Sequence, residues 1–396
     1  MTKRDLNRME SKTSFGHPNT YEYVANAINK QLIRDYSTHR FYPRSGFVEL
    51  FDFEIGLAHL VGLGKKQRLL VLNSGMSAVV AALEITNPTR EDSILHGISI
   101  EEYGKTGVYI NEDLVNERGV ISHEVDAGSL AAIDQKLQEL KGKSVKAIFF
   151  ETVGNGPGMP VLDIESFLAL ESLHQLQPKV IILDNTLPTN SVVPLSEHMA
   201  AHPELPIIGL ESLTKFYFNN EDMGGFVFTQ DKLLEEKLYN KRTRIGLIPA
   251  QSLIEKFAGI TEKNKAAFDR ENRLTMENTL RLARECAKAD GCGDRYVIRH
   301  PNLSGHPNYE YVSAHYPQGI TPLFFIEPLG LCGKFAGREI FHKLGMKGAF
   351  DEIEITESFG FGDVTVSENK GVIRICGGLK DITRHAASLK KALATV

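Results

Sequence analysis

The sequence predicts an α/β protein, a mainly parallel sheet with helices packed on both faces. Two observations point there: short runs rich in Val, Ile, Leu and Phe recur along the chain, and amphipathic stretches alternate with them. Residues 68–72, 145–150, 180–183, 205–210 and 225–229 read as buried strands, with helical patterns between them at 77–85, 128–140 and 164–176. After about Arg244 the rhythm changes. A long polar helical stretch covers 251–287, strands are expected at 323–327 and 371–375, and a last helix starts at Ile382, which together make a smaller α+β domain. The first fifty or so residues have few periodic apolar positions until 47–60 and read as an extended arm that packs on a partner subunit. The expected division is therefore 1–58 for the arm, 59–245 for the main domain and 246–396 for the C-terminal domain.

Composition narrows the class. The 396 residues allow two or three packing units at a prior of about 150 per domain. Hydrophobic content of 42%, charged content of 24% and 34 glycines match an ordinary globular chain and exclude disordered, collagen-like and low-complexity classes. With 45 basic against 50 acidic residues the net charge is −5, so no electrostatic footprint for nucleic acid is present. No apolar run is long enough to span a membrane, and residues 1–12 are charged throughout, without a hydrophobic segment to serve as a secretion signal. A cytoplasmic protein with neither membrane nor nucleic-acid partner is expected. Cys286, Cys292, Cys332 and Cys376 form no CxxC pair and stand apart from the histidines, so neither a metal site nor a disulfide framework is expected.

In parallel sheets, ligands collect beyond the carboxyl ends of the strands. Three of the expected strands run into polar residues there: Glu151 with Asn155, Asp184 with Thr186, and Ser212 through Lys215. Taken singly, each has a plain reading, a strand-end Asp as a loop anchor and a Lys as a surface group. Taken together they suit pyridoxal phosphate: an acid closes a buried strand, and about 30 residues later comes a Lys preceded by two hydroxyls in Ser-x-Thr-Lys. The acid pairs with the protonated ring nitrogen, the Lys takes the aldehyde as an imine, and the hydroxyls hold phosphate.

The ordered motifs resemble the Cys/Met metabolism family of pyridoxal phosphate enzymes, which holds the cystathionine synthases and lyases and methionine gamma-lyase. SGM from Ser74 is similar to the family's phosphate-binding turn, YGKT from Tyr103 to its YGGT-like element, and ETVGN from Glu151 to its ExPxN segment. DNT from Asp184 resembles the pyridinium partner and SLTKF from Ser212 the Schiff-base motif. HPNLSGHPNY from His300, ESFG from Glu357 and IRICGGLKD from Ile373 resemble later elements, so the likeness covers about residues 42–381.

The resemblance implies a fold-type I architecture like that of aspartate aminotransferase, with a central, mostly parallel seven-stranded sheet that binds the cofactor within 59–245. It implies Lys215, Tyr103 and Asp184 as catalytic residues. Gly75, Met76, Ser212 and Thr214 are implied at the phosphate, Tyr103 stacked on the ring, and Asn155, Thr186, Asp184 and Lys215 as further cofactor contacts. Tyr42 and Arg44 are implied to reach the phosphate from the neighbouring subunit of a homodimer or homotetramer with shared active sites. Arg374, Ser358 and Tyr42 are implied to bind the amino-acid substrate, with Arg374 forking the α-carboxylate.

The expected activity is a carbon–sulfur lyase acting on a sulfur amino acid by β- or γ-elimination. The alternative is a γ-replacement transferase of the cystathionine synthase or O-acyl-homoserine sulfhydrylase kind, and a non-catalytic pyridoxal phosphate binder comes third. Departures from the family pattern fall on the substrate side. Gly46 to Val48 stand where NPT is usual, Asn219, Asn220 and Glu221 replace Gly-His beyond Lys215, the RGLKTL stretch is lost around 257–268, and GLE has become GLK at Lys380.

Overall fold

Alternating apolar runs and crossover helices build a seven-stranded sheet in the order β1-β7-β6-β5-β4-β2-β3. The computed structural model describes residues 46–395 apart from 330–332, 347, 349–352, 357, 359–361 and 370. The strands are β1 (Arg68–Leu72), β2 (Ser93–Gly97), β3 (Ile121–Val125), β4 (Val145–Glu151), β5 (Ile181–Asp184), β6 (Ile207–Ser212) and β7 (Gly225–Thr229). β7 runs antiparallel to β1 and to β6, and every other pairing in this sheet is parallel. β4, β5 and β6 are buried along nearly their whole length, as strands covered on both faces must be.

The five strands expected in this region are present. β2 and β3 were not foreseen, because SILHG and ISHEV interrupt their apolar residues with Ser, His and Glu. Tertiary pairing makes those polar groups tolerable: the ring of His96, fully buried in β2, bonds Ser122 at 2.9 Å and the Gly97 carbonyl at 2.7 Å. Two helical expectations need correction. The stretch 164–176 is two short helices, Ile164–Leu168 and Glu171–Leu176, separated by extended backbone at Leu170. The stretch 251–287 breaks into Gln251–Phe257, a 3-10 segment Ala258–Glu262 and the long helix Lys265–Ala287. The break has a local cause, since the Asn264 side chain accepts from Ala267 N at 3.3 Å and caps a new helix.

A second sheet of five strands, in the order β10-β11-β12-β9-β8, covers the later chain. It comprises β8 (Tyr296–Arg299), β9 (Leu323–Pro328), β10 (Glu354–Ile355), β11 (Thr365–Asn369) and β12 (Val372–Cys376), backed by the helix Thr383–Leu393. Only β9, β12 and this helix were expected from the sequence. The largest apolar core draws on both regions, from Leu183 and Phe226 of the main sheet to Phe268, Leu323 and Phe325 of the later chain.

Helix α1 (Val48–Leu60) buries Leu50, Phe51, Phe53 and Leu57, so the expected arm boundary at residue 58 falls inside a helix that belongs to this core. Its Glu54 is fully buried and meets the equally buried Arg242 of helix Lys232–Ile245. The same carboxylate accepts from Val71 N at 2.8 Å, while Arg242 Nη1 donates to the Val71 carbonyl at 3.0 Å. One ion pair thus ties α1, β1 and a later helix together. Burial pushes the Glu54 carboxyl up against the pull of Arg242, so the acid depends on its cation. Arg242→Met is expected to cost about 3–5 kcal/mol in urea denaturation, because it strands a buried carboxylate. Adding Glu54→Leu is expected to restore most of that loss. Equal losses in the single and double variants would mean that the pair is not coupled.

Candidate active site

The carboxyl ends of β4, β5 and β6 open into a cavity of about 310 Å³, roofed by Arg374 of β12. Its floor follows from sheet register, which places Glu151 beside Asp184 and Asp184 beside Leu210. At one end, Ser74 caps the helix Gly75–Glu84 by accepting from Ser77 N at 3.0 Å, which leaves the N–H groups of the first turn at the cavity wall. Tight packing holds this turn against Ser212. A Cβ on Gly75 would lie 3.0 Å from Ser212 Cβ, and one on Gly225 would meet the Ser74 carbonyl at 2.5 Å. The helix terminus, Ser212 and Thr214 therefore make a cradle suited to a phosphate.

Midway along the cavity, Tyr103 hangs from a carboxylate: its backbone N–H donates to Glu151 Oε1 at 2.5 Å, while Glu151 Oε2 accepts from Asn155 N at 3.0 Å. Asn155 Oδ1 lines the cavity, buried and without a hydrogen-bond partner among the described residues, and so wants a donor from a ligand. Asp184 Oδ1 accepts from Thr186 N at 2.9 Å, and Thr186 Oγ1 accepts from Ser212 N at 2.9 Å. At the other end, Lys215 Nζ donates to Ser358 Oγ at 2.5 Å, and that hydroxyl donates to Asn220 Oδ1 at 2.6 Å. Gly75, Met76, Tyr103, Asn155, Asp184, Thr186, Ser212, Thr214, Lys215 and Arg374 all line this one cavity. Ser358 joins through its bond to Lys215. Tyr42 and Arg44 lie outside the described residues.

A model of the Cys/Met metabolism PLP-dependent enzymes matches residues 7–320. The chain belongs to that family. No curated protein matches the chain. Among solved structures, the metB protein of Corynebacterium glutamicum is similar at 21% identity with a TM-score of 0.70, over 91% of this chain and 88% of that one. Cystathionine gamma synthase from Xanthomonas oryzae pv. oryzae, solved in complex with cystathionine, is similar at 17% identity and a TM-score of 0.70, over 90% of this chain and 89% of that one. At these identities the likeness shows the fold, which is the fold-type I architecture of pyridoxal phosphate enzymes.

The residues present fit the family's cofactor. A helix terminus with two hydroxyls suits its phosphate, the orphaned Asn155 oxygen suits a ring substituent, and an acid at the end of β5 suits a protonated ring nitrogen. Burial raises the Asp184 carboxyl to about 6 against the pull of its two Thr186 bonds, so a positively charged ligand group beside it would favour its ionised form. Burial also lifts the Tyr103 phenol, opposed by the Arg374 cation. Lys215 moves the other way. Burial, reinforced by Arg374, brings its amine down to about 8, so the neutral form is a substantial minority near physiological pH.

Sequence reasoning missed three participants. Glu102 sits beside Glu151, 4% exposed, and burial raises its carboxyl to about 8 against the pull of the Glu151 and Gly97 backbone groups. Its neighbour Glu151 is raised well above the usual range by burial and then by the Glu102 charge. Only the adjacency of Glu102 to Tyr103 could have flagged it. Asn220 was noted as a departure from the family, yet its left-handed backbone, φ 60°, presents an amide to Ser358. Met223, 64% exposed, lines the mouth.

In the cofactor-free protein, the pH dependence of Lys215 labelling by an amine-reactive reagent, read by peptide mapping, is expected to have its midpoint near 8. Arg374→Ala is expected to move that midpoint upward, since it removes a neighbouring cation. A midpoint above about 10, that of an ordinary lysine, would mean that the amine is not buried beside Arg374.

Proposed function

We propose that this cavity holds pyridoxal phosphate and that the protein is a carbon–sulfur lyase, eliminating a β- or γ-substituent from a sulfur amino acid. The observation that carries the reading is the convergence of a buried, partly neutral amine, a strand-end acid and a substrate-facing cation on one cavity in a chain of this family. When bound, the cofactor supplies an electron sink for charge that develops at the substrate Cα. Gly75 and Met76 N–H groups, with the Ser212 and Thr214 hydroxyls, hold its phosphate, and Asn155 and Thr186 hold the ring. Asp184 keeps the ring nitrogen protonated. Lys215 would hold the aldehyde at rest and, once the substrate amine has displaced it there, would take the Cα proton on its freed amine, steadied by Ser358. Arg374 orients the α-carboxylate, and Tyr103 packs on the ring with its phenol placed for proton transfer to the leaving group.

Lys215 and Arg374 are the cations lining the cavity among the described residues, the first assigned to the reacting centre and the second to a carboxylate. The mouth supports an oligomer with shared sites: Tyr103 is 43% and Met223 64% exposed, apolar surface of the kind a neighbouring subunit covers.

Four measurements test this. Borohydride reduction and peptide mapping are expected to place the pyridoxyl group on Lys215, and a sulfur amino acid is expected to release keto acid with no added nucleophile. Keto acid that appears only when a thiol or other nucleophile is supplied would favour the transferase reading. Arg374→Ala is expected to weaken amino-acid binding by about two orders of magnitude, through loss of charged hydrogen bonds worth about 1.5–3 kcal/mol each, with little change in cofactor content. Loss of cofactor with normal substrate binding would make Arg374 structural. Mixing Arg44→Ala subunits with Lys215→Ala subunits is expected to restore part of the activity that each lacks alone, and no recovery on mixing would contradict a shared site.

A further inference from the structure

Far from the cavity, three metal-ligating side chains that the sequence keeps apart come together. The helix Glu171–Leu176 carries His174 and ends at Gln177, in the left-handed conformation, before the chain enters β5. The helix Leu195–Ala201 ends at His202, and Glu204 follows in the turn that leads into β6. Neighbouring parallel strands bring these two approaches side by side. One donor atom from each of His174, His202 and Glu204 lies within 4.8 Å of the other two. His202 Nδ1 stands 3.5 Å from Glu204 Oε1, close to the spacing of about 3.4 Å between ligand atoms bound tetrahedrally at about 2.0–2.1 Å.

A second observation concerns the His174 tautomer. Its Nε2 bonds the Leu168 carbonyl at 2.9 Å, and a carbonyl only accepts, so Nε2 carries the hydrogen and Nδ1 keeps the lone pair. An imidazole that donates one ring N–H to a backbone carbonyl and offers the other nitrogen is the usual arrangement of a metal-ligating histidine. The His202 turn is likewise pinned, because Gln230 Nε2 donates to the carbonyls of Met199 at 2.5 Å and His202 at 3.4 Å. We propose that His174, His202 and Glu204 form a binding site for a divalent late transition-metal ion, with water completing the shell. Two imidazoles and a carboxylate suit zinc and its neighbours in the series better than magnesium or calcium, which prefer oxygen alone.

The position fixes what the ion does. These turns precede β5 and β6 and so lie at the amino edge of the sheet, while Lys215 and Asp184 lie at the carboxyl edge. Strands of four and six residues separate the two edges by about 13–20 Å at about 3.3 Å per residue. The ion touches no reacting atom. It ties the approach to one central strand to the approach to its neighbour, and so acts on stability alone.

The test titrates zinc into tag-free holoenzyme. One equivalent per chain is expected to bind and to raise the thermal midpoint by several degrees, with turnover unchanged. His174→Ala and Glu204→Ala are each expected to weaken binding about tenfold or more and to shrink the thermal shift. Glu204 is 53% exposed in its side chain, so its variant keeps the fold and reads the site directly. Binding or thermal shift unchanged in both variants, no zinc bound at about 100 μM, or turnover lost in step with occupancy would each overturn the proposal.

Discussion

Desolvation of carboxyl groups at one sheet edge is the constraint around which the site is built. Glu151, Asp184 and Glu211 lie on three adjacent strands, and Glu102 packs behind the first. In each of the four, burial is the largest influence and pushes the group toward its neutral form. Their surroundings answer that pressure differently. Glu211 is satisfied from within, accepting from the Tyr217 hydroxyl at 2.6 Å and from Asn190 N at 2.8 Å, and serves the fold. Among the described residues Asp184 has only Thr186, and it faces the cavity, so a ligand can complete it. Because these acids hold protons more tightly in the folded chain than in the unfolded one, the edge costs stability as pH rises from the ordinary carboxylate range toward 8. A cationic ligand group beside Asp184 offsets part of that cost.

The two sheets contribute unequal chemistry to one cavity. The main sheet supplies the anion cradle, the acids and Lys215, all at or just beyond the carboxyl ends of its strands. The smaller sheet contributes Arg374, and the chain beside it contributes Ser358, whose oxygen holds the lysine amine. Lys215 owes part of its low basicity to Arg374, so the reactivity of a residue on one sheet is set by a residue on the other. Correct packing between them is therefore a condition of reactivity as well as of stability.

Most of this was legible in the sequence where apolar runs are continuous. Strands such as IILD and GFVFT declare themselves, and the polar residues that end them point to the site because a parallel sheet collects ligands at that edge. β2 and β3 stayed hidden, since His96 and Ser93 look like loop residues until neighbouring strands satisfy them. The break at Asn264 was also illegible, as a cap is recognised by the backbone N–H it accepts. Glu102 and Asn220 escaped for a related reason: burial and a left-handed backbone confer their roles, and neither property is written in the residue type.

The Glu54–Arg242 pair has a reach beyond the core that contains it. It fastens the backbone of Val71, and only Leu72 and Asn73 separate that residue from the serine that caps the anion-binding helix. The height of that turn above Ser212 is thus set by a side-chain pair buried elsewhere, with Gly75 and Gly225 leaving no room for adjustment. A lesion in the pair would loosen the grip on the phosphate while every contacting residue stayed intact. By mass action, such a defect is concealed when the phosphate-bearing ligand is plentiful and emerges when it becomes scarce.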